Sequence, residues 1–505
     1  HIDNWMMQEE LPMLYNQYKI TIPHVFVYNI ELRGKDYIQV KQRDSSIHAT
    51  EREGSSAGGV SKDFTVSAQE TTFTSRNLPA IRQDESYCWC PEDYKVQVSF
   101  DLQGTQFTPN EYKPYSQKWE DVDKQLLKPE NTQFGEHLSL TNPFRPETKQ
   151  AYNSEMNFEE KIICAFQVLK KKMAWNGRYQ LYSKELEKVI KKGSGSNADL
   201  NFILISILKD FGLEAYPVVM SRRSSGMLPY NFPSLQKLNT FFVAIHDINK
   251  QKYVFLDSSM DVPAFNILPL ELSVNKARML SLKEKEEKKW VNVMALSHNK
   301  SFMKIDARIE GNQVKGHRST VLYGQEAIEY QANENHKQDN LVSNPENKVS
   351  QKEKLTVTNL KVKKQENDWA LIEEEFDFVL QADRTDDHLY INPMLFPQLK
   401  SNPFIQTERV LPIEFPYPYK FTMLSTLTLP EGYEVEELPQ SQSIRSEGDG
   451  LQCKYMIQQQ GNTILLNYVF HLKGYIFLSE QYKQLQELWA KVIEKNNALI
   501  VLKKI

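Results

Sequence analysis

The sequence predicts an α+β, multidomain chain, β at both ends and mixed in the middle. Three observations predict it. Apolar residues alternate or run at strand length through 1–112. They recur at helical spacing through 113–300. Through 301–505 they return to strand-length runs, and the chain closes on one more helical pattern. A length of 505 residues fits about two to four domains. Hydrophobic residues at 40% and aromatic residues at 11% suffice for full cores.

In the first region, "FVYNIEL", "YIQVKQR", "DFTVSA" and "KVQVSFDL" read as strands with turn residues between them. Cys88-Trp89-Cys90 closes the region. In a strand, residues i and i+2 share a face, so the pair predicts two ordinary strand cysteines. Two thiolates without a second pair or nearby histidines make a poor zinc site, so no metal is expected. Cys164 and Cys453 sit among apolar or strand-like neighbours and read as buried, inert thiols.

The period changes in the middle. "SQKWEDVDKQLL" and "NFEEKIICAFQVLKKKM" are helical, the second with Phe158, Ile162, Phe166 and Leu169 at steps of four, four and three. "SKELEKVIKK" is another helix and leads into "KGSGSNADLN". The helix "ADLNFILISILKDFG" follows. Leu200, Ile203, Leu204, Ile207 and Leu208 form its inward face, and Gly212 is its stop. Phe202 and Ile205 lie off that stripe, so the helix is apolar nearly all round and should be central and enclosed. "LEAYPVVMS", "LNTFFVAIHD" and "KYVFLDSS" are strands with connections short enough for an antiparallel sheet.

In the last region "MKIDARIEG", "WALIEEEFDFVLQ", "FTMLSTLTLP" and "TILLNYVFHLKG" are strands, and prolines bound "PEGYEVEELP". Tyr482, Leu485, Trp489 and Val492, at steps of three, four and three, mark the terminal helix. The polar segment 332–354 predicts a mobile loop. "KEKEEKK" at 283–289 mixes both signs and predicts a solvated helix face or linker. His471 alternates with core residues and reads as a surface or satisfied strand position.

A net charge of −4 argues against nucleic acid, whose binding needs a concentrated basic face. No uncharged apolar run reaches about 18 residues, so no membrane span is expected.

The chemistry concentrates at "KGSGSNADLN". A Gly/Ser loop feeding a helix gathers free N–H groups and a positive dipole end, which holds phosphates or activates a thiolate. Here no lysine follows the glycines and no cysteine is present. Ser196-x-x-Asp199 also fits a capping box.

An enclosed helix with a special residue at its start, followed by antiparallel strands, is the plan of papain-like enzymes. "GSNADLNFILISILKDFGLEAYPVVMS" resembles the nucleophile segment of the bacterial transglutaminase-like superfamily, which writes Gly-x-Cys-x-Asp, an apolar helix and "GI.A.PV". "LNTFFVAI" is similar to its histidine strand and "YVFLDSS" to its aspartate strand. "LPAIRQDESYCWCPEDYKVQVSFDL" resembles the end of the β-sandwich that precedes this core in a Bacteroidetes-type architecture of unknown function. "NPFIQTERVLPIEFPYPY", "LPEGYEVEELP" and "SEQYKQLQELWAKVIEKNNALIVLKK" are similar to its C-terminal β domain. The resemblance implies an N-terminal β-sandwich over 1–112, a transglutaminase-like (papain-like) αβ core over 113–300, and a β-sandwich-like domain over 301–505 that ends in a helix. With the missing initiator methionine, it also implies export to the periplasm or cell surface.

At the chemistry the chain departs from that family. On this alignment Asn197 stands at the nucleophile position and Thr240 at the histidine position, and only Asp257 keeps the third residue. An amide is not a nucleophile, and threonine is no imidazole base near neutral pH. The resemblance therefore implies the fold and undercuts the activity. The expected function is a catalytically silent protein that binds a peptide, glycan or envelope protein in the relic cleft, without cofactor.

The alternative is a working cysteine-protease-like or transglutaminase-like enzyme, a "putative protease" using Ser196. A serine needs a base within reach. His246 lies six residues past Thr240, roughly 20 Å along the strand. Arg222 and Arg223, in the loop "RRSSGMLPYNFP", are candidates to hold a carboxylate or glycan acid. Trp175 is a candidate to stack on a sugar or peptide.

Overall fold

In the computed structural model the described residues are 2–53, 60–83, 85–108, 111–114, 118–128, 133–228, 233, 235–296, 298–339, 355–365 and 369–505. Contacts divide the chain into two compact units. One comprises His1–Lys128 and Arg223–Leu238, the other Pro129–Arg222 and Asn239–Ile505. The chain is multidomain and mixes helix with sheet.

The period-two pattern of the first unit builds two antiparallel sheets. Met13–Pro23, Val60–Leu78 and Gln39–Glu53 form one, with Val60–Leu78 in the middle. In the other, Gln97–Thr108 pairs with Trp5–Met6, Phe26–Arg33 and Glu111–Pro114. Phe73 and Leu78 from the first sheet share a buried core with Val98 and Phe100 from the second. The expectation of two strand cysteines is corrected. Cys88-Trp89-Cys90 is irregular, and Cys90 precedes the short 3-10 turn Pro91–Tyr94. Pro91 has no N–H for a ladder, and its fixed φ suits the first residue of that turn.

In the second unit the helix Asn197–Asp210 is central, as its all-round apolarity predicts. Every residue from Asn197 to Leu208 is buried, Phe202 and Ile205 included. Gly212 follows it with φ +74°, the left-handed stop expected there. The helix Phe158–Lys172 packs on it, started by Asn157, whose side chain accepts from the Glu160 N–H while Glu160 reaches back. The central helix also packs on the strand Thr240–Asp247. That strand belongs to a five-stranded antiparallel sheet, in the order Lys252–Leu256, Thr240–Asp247, Ala215–Met220, Ala277–Met279, Trp290–Val291.

The charged run 283–289 is more than a solvated face. Glu286 takes both guanidinium nitrogens of fully buried Arg278, at 2.6 and 3.0 Å, and Trp290 lies against the same guanidinium. A buried cation needs such a partner, and only position in the fold reveals that demand.

Beyond this sheet an eight-stranded one runs Leu355–Lys364, Leu371–Gln381, Gln313–Tyr323, Asn299–Glu310, Tyr419–Thr428, Thr463–Leu472, Leu451–Gln460, Gln442–Arg445. All neighbours are antiparallel except Asn299–Glu310 with Tyr419–Thr428. The terminal helix Tyr482–Asn496 buries Tyr482, Leu485, Trp489 and Val492, and Trp489 packs on Phe404, Phe415 and Phe470. The expected mobile loop is corrected over its first part: the helix Gln325–Asp339 runs through 332–339. It packs on the strands Asn299–Glu310, Gln313–Tyr323 and Leu371–Gln381; Ala327 and Gln331 are buried, and the Gln331 amide donates to the Trp369 carbonyl at 2.5 Å. The rest of that segment, 340–354, lies outside the described residues.

Candidate functional site

The site is set by how the chain enters the central helix. The helix Leu186–Lys192 ends on Gly193, which is left-handed at φ +70°. Ser194–Gly195 then pairs in parallel with Ala174–Trp175. A Cβ on Gly195 would sit 2.6 Å from Val189 Cγ1 and 2.9 Å from Asp199 Cβ, so only glycine passes here. Ser196 is the N-cap. Its N–H and its hydroxyl donate to Asp199 Oδ2 at 2.8 and 2.7 Å, and its oxygen accepts from the Asp199 N–H at 3.3 Å. It is 1% exposed. The hydroxyl is thus committed to the capping box.

Asn197 begins the helix fully buried. Its amide donates to Thr240 Oγ1 at 2.7 Å and to the Phe241 carbonyl at 3.0 Å, and its oxygen accepts from the Gln180 N–H at 2.9 Å. One turn later Asn201 repeats the pattern. It donates to the Phe241 carbonyl and to Asp257 Oδ2, each at 2.8 Å, and accepts from the Ser258 N–H at 3.0 Å. Both amides thereby use every donor and their carbonyl oxygen. Asp257, 1% exposed, also accepts from the Ser259 N–H at 2.9 Å and from the Ser259 hydroxyl. Burial pushes its carboxyl above the usual range, opposed by the hydrogen bonds from Ser259, Asn201 and Asn197. Two neighbouring atoms, Asp199 Oδ1 and Ser258 Oγ, are buried without a partner.

Asn197, Thr240 and Asp257 thus come together in one solvent-excluded cluster, and no wall of it is exposed at these residues. Asn201 was missed in the sequence. The available signal was an amide four residues after Asn197, in the middle of the apolar run of that helix. The cluster holds no nucleophile with a base. Among the described residues, the side chains hydrogen-bonded to Ser196 and Asp257 are carboxylate, amide and hydroxyl groups, with no histidine or cysteine. His246 sits at the far end of the strand from Thr240, stacked on Tyr253 and 3.5 Å from Glu214.

The other candidates are engaged elsewhere. Half-buried Trp175 donates to the Arg178 carbonyl at 3.1 Å and packs on Tyr179. Arg222 belongs to the second unit and pairs with Glu271 at 3.7 Å. Arg223 belongs to the first unit, where its guanidinium lies 4.3 Å over the Trp89 ring. Cys164 is half-buried and donates to the Ala151 carbonyl, and burial pushes the Cys453 thiol up to about 11. His471 is half-buried, with burial and two lysines pushing its imidazole down. Among the described residues, no group of three or more His, Cys, Asp or Glu is placed to hold a metal, and no helix is long and apolar enough to cross a membrane.

Comparison with known proteins agrees with this architecture at the level of fold. Residues 387–502 match a domain of unknown function with solved structure, DUF3858. A "putative protease" from Parabacteroides distasonis superposes over 99% of this chain and 75% of its own, with a TM-score of 0.51 and 12% identity. Likeness at that identity speaks for the fold alone. A "putative cysteine protease" from Cytophaga hutchinsonii covers 50% of this chain and 80% of its own at 10% identity, and its TM-score of 0.17 carries no structural argument. No curated protein sequence matches the chain.

Proposed function

We propose that this chain is a catalytically silent transglutaminase-like protein, a core over 113–300 flanked by β domains. One observation carries the reading: the Asn197 amide donates to Thr240 Oγ1 at 2.7 Å, with both residues fully enclosed. A working enzyme of this class needs a thiolate at the helix start facing an imidazole. An amide and a hydroxyl bonded to each other can neither attack a carbonyl nor pass a proton to a leaving amine. The positions are retained as architecture. Partners of the proposed classes, a peptide, glycan or envelope protein, then bind through surface outside this cluster. A periplasmic or cell-surface location is part of the proposal, and fractionation of the native protein tests it.

The decisive experiment uses the full chain with a peptidase assay and iodoacetamide labelling, taking the native cysteines as background. The wild type should show no turnover. Asn197→Cys alone should stay inactive, because Thr240 supplies no general acid, and that help is worth about 10² to 10⁴ in rate. Asn197→Cys with Thr240→His, leaving Asp257 to orient the ring, should give a more reactive thiol than the single variant. Wild-type turnover abolished by Ser196→Ala would overturn the reading in favour of a serine variant.

A further inference from the structure

The helix Gln325–Asp339 lies over one face of the eight-stranded sheet and leaves a cavity of about 230 Å³ beneath it. The sheet contributes Thr320, Met303, Leu322 and Phe421, whose register places them on the same face. The helix contributes Glu326 and Glu329, which share a helix face at a spacing of three. Apolar surface and carboxylates thus line one space.

Its polar atoms are not all satisfied. Thr320 is 5% exposed, and its hydroxyl is buried with no hydrogen-bond partner. The Tyr419 and Ser301 hydroxyls lie beside the Glu326 carboxylate, whose Oε2 is buried without a hydrogen-bond partner. Those two hydroxyls bond each other at 2.7 Å. Arg318, on the same face of this sheet, pairs with Glu374 through one guanidinium nitrogen and lies 4.3 Å over Phe376, while its Nε is buried without a partner. A buried acceptor left open costs about 1–3 kcal/mol, so such atoms mark where a donor belongs.

We infer that this cavity is a binding site for a primary ammonium on a short apolar stem, such as an alkylamine or the end of a lysine side chain. An ammonium has three N–H donors and no acceptor. Glu326 Oε2, Thr320 Oγ1 and the Glu329 carboxylate offer three acceptors, and Met303, Leu322 and Phe421 receive the stem. A metal fits less well, because only two carboxylates are present and Met303, Leu322 and Phe421 line the same space. The site shares no residue with the Asn197 cluster and does not depend on its silence.

The test is calorimetric titration of the full chain with n-butylammonium chloride at pH 8, with tetramethylammonium and Ca²⁺ as parallel probes. Saturable n-butylammonium binding is expected, with no binding of tetramethylammonium, which has no N–H. Glu326→Gln should weaken it about tenfold or more, and Thr320→Val less, as loss of a charged against a neutral hydrogen bond. Far-ultraviolet dichroism keeps both variants interpretable. Binding should also weaken at pH 5. Burial raises both Glu326 and Glu329, with repulsion from Glu329 adding at Glu326, and burial also raises Tyr417 and Tyr419 beside them; Tyr330 and the Arg318–Glu374 pair are the other polar groups there. Absence of saturable binding, equal binding of tetramethylammonium, displacement of the amine by Ca²⁺, or indifference to Glu326→Gln would each overturn the assignment.

Discussion

Two polar clusters sit under helices of the same unit, and they differ in their accounts. Under the central helix, the Asn197 and Asn201 amides meet Thr240, Asp257 and the backbone with every donor used. Under the helix Gln325–Asp339, Glu326 and Thr320 keep open acceptors beside a cavity. The two amides hold architecture, since each of their donors and carbonyl oxygens is spent, and the open atoms beside them are Asp199 Oδ1 and Ser258 Oγ. Open accounts are what recognition needs. Position at a helix start, the usual mark of a site, ranks the two in the wrong order.

The largest expected break in this contrast is Asn201→Leu. It strips a donor from Asp257 and leaves the Ser258 N–H without its acceptor, while the Phe241 carbonyl keeps only the Asn197 amide. A loss of about 3 kcal/mol or more in urea unfolding is expected, as for two buried polar groups that each lose a hydrogen-bond partner. A loss below 1 kcal/mol would show that the amide bridge is not structural. Gly195→Ala comes next. Its methyl group meets Val189 Cγ1 and Asp199 Cβ inside contact distance, so roughly 1–3 kcal/mol should be lost. Unchanged stability would show that the entry to the helix is looser than described.

Thr320→Val should act in the opposite sense. Removing a buried hydroxyl without a partner should raise the unfolding free energy by about 1 kcal/mol in the absence of amine. Destabilisation by this change would mean that the hydroxyl is already satisfied. The smallest effect lies in pH dependence. Asp257, Glu326 and Glu329 are each raised by burial. A carboxyl raised on folding contributes stability that is complete below its unfolded value of about 4. That contribution is lost as pH rises through the folded value. Glu326→Gln removes one of the three. Its urea midpoint should therefore fall less than the wild type's between about pH 4 and 7, and parallel curves would refute this.

Much of the fold was legible because burial imposes a period. The stripe from Leu200 to Leu208 and the alternation through Asn299–Glu310 follow directly from which face is covered. Asn197, Thr240 and Asp257 were singled out through family resemblance, since no local rule marks a buried amide at a helix start. Asn201 went unread because one polar residue on an apolar helix signals nothing until its partners, 40 and 56 residues away, are known. The helix through 332–339 was hidden by its polar composition, which carries no apolar period. Arg222 and Arg223 look equivalent as neighbours, but they belong to different units.

The single parallel pairing within the eight-stranded sheet bears on synthesis. Ser301 and Tyr419, which share a hydrogen bond there, are 118 residues apart. When the Asn299–Glu310 and Gln313–Tyr323 hairpin leaves the ribosome, the strand that will cover its outer side has not been made. At about 5–20 residues per second the wait lasts several seconds. Throughout it, an alternating strand presents unpaired N–H and C=O groups to any passing extended chain. On that strand five of the six outward positions carry charge, Lys300, Lys304, Asp306, Arg308 and Glu310, and the sixth is Phe302. Charges so placed discourage a second nascent chain from docking before the native neighbour arrives.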